Sequence, residues 1–156
     1  RPYGIRPVLP IAATAPPGEP TRLDPFRATV AAKLRPLLGL ADEDPQLGDA
    51  LDRWELSLFQ GDPFRGEQLR HALDALLGNG EGLYAAAMRA AALLGETAEE
   101  RAALAERFRT PTPDLVRRLV LAVLMRGERR ALLRELDGVL LGLRAGHAKV
   151  QELRAS

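Results

Sequence analysis

Apolar residues recur along this chain at intervals of three and four, the period that places side chains on one stripe of an α-helix and not on alternate faces of a strand. Phe26, Val30, Leu34, Leu37 and Leu38 form a first stripe that stops at Gly39, with Pro36 expected to kink or thin its last turn. Leu47, Leu51, Trp54 and Leu58, with Phe59 beside them, form a second stripe ending at Gly61. Leu69, Leu73, Leu76 and Leu77 mark a third helix, expected from about Gly66 to the break at Gly78-Asn79-Gly80. An alanine-rich fourth helix is predicted from Gly82 to Leu94, and a short fifth ends near Phe108. Leu115 to Met125 is apolar on nearly every side, as suits the central helix of a bundle. Beyond Gly127 the longest periodic stretch, Leu132, Leu136, Val139, Leu143, Gly146, Val150 and Leu153, reads as a heptad-like seam on a long amphipathic C-terminal helix.

Start signals sharpen these boundaries. Asp24-Pro25, Asp44-Pro45 and Asp62-Pro63 each set a carboxylate before a proline, which fits a helix N-terminus where amides are unpaired and φ near −65° is already required. Thr97 with Glu100 spells a capping box, and Thr112-Pro113 opens the sixth helix. Asp24-Pro25-Phe26-Arg27 is echoed by Asp62-Pro63-Phe64-Arg65, but two copies are too few for a stable solenoid. Residues 1–20 differ in kind, because six prolines there forbid a helix. They read as an extended arm whose Tyr3, Ile5, Val8, Leu9 and Ile11 are suited to lying along a surface. The expected architecture is therefore all-α: a bundle of six or seven helices in one domain over 21–156, led by the proline-rich arm at 1–20.

Composition narrows the function. With 156 residues, 46% apolar and 28% charged, the chain has the balance of a single globular domain and not of a disordered tail. It has no cysteine, so disulfides, zinc thiolates and thiol nucleophiles are excluded. The longest apolar run, Leu119 to Met125, is far shorter than the roughly 20 residues of a membrane-spanning helix. The reading is of a soluble chain, assigned to the cytoplasm only by default. Because it opens at Arg1 and not at Met, it is expected to be a processed form or a piece of something longer.

Charge is unevenly divided. Residues 1–100 hold ten basic and fifteen acidic side chains, and residues 101–156 hold twelve and six. Arg117, Arg118, Arg126, Arg129, Arg130 and Arg134 crowd one segment and suggest either phosphate contacts to a nucleic acid or ion pairs with the acidic part. Glu128 and Glu135 interrupt that run and no aromatic residues interleave for base stacking.

Candidate chemistry is sparse. Ser57 and Ser156 are the only serines, and neither sits in a nucleophile setting. Glu67, His71 and Asp74 share a helical face, which could be half of a metal or acid–base site or simply a solvated face. His147 falls beside the C-terminal seam and reads as a partly buried histidine. Gly78 to Gly82 lacks the preceding strand of a dinucleotide loop and the Gly-Lys-Ser/Thr of a Walker loop. Asp42, Glu43 and Asp44 are explained by capping. No cofactor is implied. The expectation is a non-enzymatic interaction or assembly module that contacts a protein partner or a second copy. Its contact residues would be Tyr3 and Ile5 of the arm with Leu132, Leu136, Val139, Leu143, Val150 and Leu153 of the seam. The alternatives are a nucleic-acid-associated protein using Arg117 to Arg134 and a helical enzyme with a site at Glu67, His71 and Asp74.

Overall fold

Capping chemistry decides where the helices begin. In the computed structural model, which describes residues 24–142, the Asp44 carboxylate accepts from the Gln46 and Leu47 amides and Pro45 follows it at the first helical position. Thr97 Oγ1 accepts from the Glu100 amide while the Glu100 carboxylate takes the Thr97 amide, completing the expected box. Thr112 Oγ1 accepts from the Leu115 amide ahead of Pro113. The resulting order is α1 (Pro25–Leu38), α2 (Leu40–Glu43), α3 (Pro45–Leu58), α4 (Phe64–Leu77), α5 (Leu83–Leu94), α6 (Ala98–Arg107), α7 (Pro113–Arg126) and α8 (Arg129–Leu140). Among the described residues the protein is all-helical, with seven helices of at least ten residues, one of four, and no strand. The proline-rich arm lies outside the described residues, as do Tyr3, Ile5, Leu143, His147, Val150 and Leu153.

α1 ends at Leu38 ahead of Gly39, as the pattern predicts, but Gly39 is in right-handed helical geometry and the chain resumes at once as the short α2. Pro36 lies inside α1, close to that end. At Asp62-Pro63 the peptide is cis, Pro63 itself occupies the cap position without a side-chain cap bond, and α4 starts at Phe64. The Asp-Pro pair that caps α3 thus has no capping counterpart at α4, and of the two Asp-Pro-Phe-Arg segments the first begins its helix at Pro25 whereas the second begins one residue later, at Phe64.

The core is built around α4. Leu69, Ala72, Leu73, Leu76 and Leu77 are all buried there, facing α3 on one side and α5 and α7 on others. Each fully buried leucine contributes roughly 1.5–3 kcal/mol. Small side chains on α5, Ala86, Ala87, Ala90 and Ala91, are buried where α6 and α8 come alongside, because alanine lets backbones approach closely. From α7, Leu115, Val116, Leu119, Val120, Val123 and Leu124 enter the same core, and Phe108 after α6 is fully buried. Trp54 packs against this core half-buried, and its indole N–H donates to the Pro113 carbonyl at 2.9 Å, pinning α3 to the start of α7. The first helix is the loosest, since its Leu37 packs on the core while Phe26 and Val30 remain exposed.

Candidate functional site

The most constrained polar residues converge on the C-terminal end of α4. A helix end leaves carbonyls unpaired and carries partial negative charge. Gly78 does not relieve this with a left-handed cap, because it stays in right-handed geometry, and the reversal comes only at Asn79 and Gly80, both at positive φ. Two arginines take the place of that cap. Arg89 of α5, only 3% exposed, donates from Nη1 to the Leu77 and Gly78 carbonyls at 2.9 and 3.1 Å. Arg129, the first residue of α8 and 6% exposed, donates from Nη1 to the Leu76 carbonyl at 3.3 Å.

Buried guanidinium groups need counter-charges, and three carboxylates supply them. Arg89 Nε meets Asp137 of α8 at 2.6 Å and its Nη2 meets Glu81 at 2.8 Å. Arg129 Nε meets Asp44 at 2.7 Å, which joins the start of α8 to the cap of α3. Burial alone would push the Asp44 carboxyl up, but the Arg129 guanidinium and the Gln46 and Leu47 amides outweigh it and hold the group below the ordinary carboxylate range. Burial would likewise lower Arg89, yet Asp137 and Glu81 raise it above its usual value, so it stays charged. Both ends of α8 are thereby tied to the end of α4.

This anchoring determines what α8 presents. Leu132, Leu133 and Leu136 are buried in the chain's own core, and Val139 is half-buried. The helix ends at Leu140, and Gly142 sits at φ 69° just beyond, a conformation that glycine reaches without steric cost. Leu140 and Leu141 are left exposed, the latter at 73%. They border an open cleft of about 350 Å³ against the first turns of α5, lined also by Ala85 and Glu81 and floored by the Arg89–Asp137 pair. Tyr84, next to Ala85, is 78% exposed. An open cleft with apolar walls and an already neutralised ion pair at its base offers contact area, and its polar groups are engaged with one another.

The remaining sequence candidates are dispersed. Arg117 pairs with Asp114 at 2.6 Å on the surface, Arg126 reaches Glu135 at 3.6 Å, and Arg129 is the buried clamp just described. Arg118, Arg130 and Arg134 are exposed, with no ion pair among the described residues. His71 lies 3.7 Å from Glu67 on an exposed face, whereas Asp74 has a carboxylate oxygen buried without a partner and lying close to Gly78. Among the described residues no group of three or more His, Cys, Asp or Glu is placed to hold a metal ion. Ser57 is buried, and its hydroxyl donates to the Trp54 carbonyl. None of the described helices is long and apolar enough to cross a membrane.

Sequence reasoning passed over Arg89, Asp137, Tyr84, Leu140 and Leu141. One signal was available for the first: a lone arginine inside Ala85 to Leu94 is a charge on a face otherwise fit for burial, and such a residue demands a partner. Comparisons of the chain with protein-family models, with curated proteins and with solved structures returned no match.

Proposed function

We propose that this chain is a non-enzymatic helical interaction module that meets a protein partner through the end of α8. The observation that carries the reading is the pair of exposed leucines, Leu140 and Leu141, at the rim of a cleft whose ion pair is already satisfied from within, with the exposed Tyr84 preceding the cleft residue Ala85 in α5. Large apolar side chains gathered at one place on a surface mark a contact site, whereas single ones do not. The two carboxylates at the cleft, Glu81 and Asp137, are both bound to Arg89, which favours contact over acid–base chemistry.

The nucleic-acid reading has less to support it, since half of the six arginines it needs are engaged with Asp114, Glu135 and Asp44. Tyr84→Ser and Leu141→Ser test the proposal. Both positions are exposed, so the thermal midpoint is expected to stay in place while the amount of partner protein co-purifying with the chain falls. Recovery of the same partner at unchanged yield from both variants would remove the α8 end as the contact.

A further inference from the structure

The turn between α4 and α5 holds reactive groups that neither the clamp nor the cleft uses. Asn79 is the sole asparagine in the sequence, and Gly80 follows it. The Glu81 amide donates to the Gly78 carbonyl at 2.9 Å across this pair, and φ is 51° at Asn79 and 82° at Gly80. That is the pattern of a tight turn with both central residues in the left-handed region, which asparagine followed by glycine suits best. Both residues are exposed. The Asn79 carboxamide and the Gly80 amide make no hydrogen bond among the described residues. Around Gly80 the space is open, with nothing within 4 Å of where a Cβ would stand.

We infer that Asn79 is a site of spontaneous modification, at which the Gly80 amide closes on the Asn79 carboxamide and water reopens the ring to leave a carboxylate that loosens the end of α4. In the first step the Gly80 nitrogen gives its proton to solvent base and bonds to Asn79 Cγ. The bond from Cγ to the side-chain nitrogen breaks, and that nitrogen leaves as ammonia. Water then adds to one carbonyl of the resulting cyclic imide. Cleavage of the newly made bond gives an aspartyl residue, whereas cleavage of the main-chain bond gives an isoaspartyl residue with a backbone longer by a methylene. Water is consumed, ammonia is released, and no other reactant is needed. Glycine favours closure, because it leaves its own nitrogen uncrowded and its backbone moves at little steric cost. Closure needs rotation about the Asn79 Cα–C bond, which the Glu81–Gly78 hydrogen bond opposes, so it proceeds from a locally opened turn.

The new carboxylate appears where negative charge is already in excess. Arg89 is outnumbered by Glu81 and Asp137, and the last carbonyls of α4 carry partial negative charge. The isoaspartyl product also lengthens a turn whose Gly78 carbonyl has to stay within reach of Arg89 Nη1. Holding the full chain at mildly alkaline pH and following its intact mass and its elution on ion exchange tests the inference. The expected result is the mass gain of an amide-to-carboxyl exchange with a shift to an acidic species, both located by peptide mapping to the segment containing Asn79. Asn79→Gly keeps the turn, since glycine reaches the left-handed region freely, and should abolish both changes. Once separated, the acidic species should unfold at a lower urea concentration than the fresh chain. An unchanged mass, a gain that persists in Asn79→Gly, or an acidic species as stable as the fresh chain would overturn the inference.

Discussion

Individual side chains hold the end of α4 together, and the strongest single-residue effects are expected there. Asp44 has two tasks, because it caps α3 and neutralises the buried Arg129. Asp44→Ala removes both and leaves a buried cation uncompensated, so a loss of about 3–5 kcal/mol is predicted in urea unfolding. Arg129→Met adds less to the Asp44→Ala variant than it costs alone, since the unpaired cation is then gone. The exposed Arg117–Asp114 pair has a short distance but no burial, and Asp114→Asn is expected to leave the unfolding midpoint unchanged. This scale was the least legible in the sequence. Arg129 is separated from Asp44 by 85 positions, and six arginines in one segment look alike until the fold buries one, pairs two on the surface and leaves three without an ion pair among the described residues.

Whole elements were read more easily, because their signals are local. The Thr97–Glu100 box and the Thr112-Pro113 start can be recognised within four residues, and both occur as expected. Thr97→Ala should cost about 1 kcal/mol, measured by chemical denaturation. Asp62-Pro63 carries the same letters as Asp44-Pro45 but caps nothing, since the next helix begins on the far side of a turn tied by Arg65 to the Ser57 carbonyl. Glycines divide in a similar way. Gly78 was legible as a break, but its necessity comes from packing, because a methyl group there would strike the Asp74 carboxylate and backbone carbonyl. Gly78→Ala is predicted to lose about 1–3 kcal/mol, while Gly61→Ala, with open space around it, should stay within about 0.5 kcal/mol. The seam of α8 was legible as a stripe, but its division was not: Leu132 and Leu136 turn inward, and the surface begins at Leu140.

At the scale of the molecule, burial and charge separate what holds the bundle from what faces outward. The apolar core accounts for the all-α architecture that the periodicity predicted, whereas the orientation of α8 depends on carboxylates meeting two buried arginines. Acid should expose that dependence. Asp44 and Glu100 are held below the ordinary carboxylate range, so their stabilisation is present above that range and is lost as pH falls through their folded values. The denaturation midpoint is expected to be flat from neutral pH down to about 5 and to drop below about 4, with a shallower drop in Asp44→Asn. The proposed function belongs to this scale, because it requires the clamp at α4 to leave Tyr84, Leu140 and Leu141 for another protein. Site-specific photo-crosslinking in cells, with the reactive group placed in turn at Tyr84, at Leu141 and at the exposed Ala102 of α6, reads that requirement directly. The account predicts a protein adduct from the first two positions and none from Ala102; adducts from all three alike, or from Ala102 alone, would contradict it.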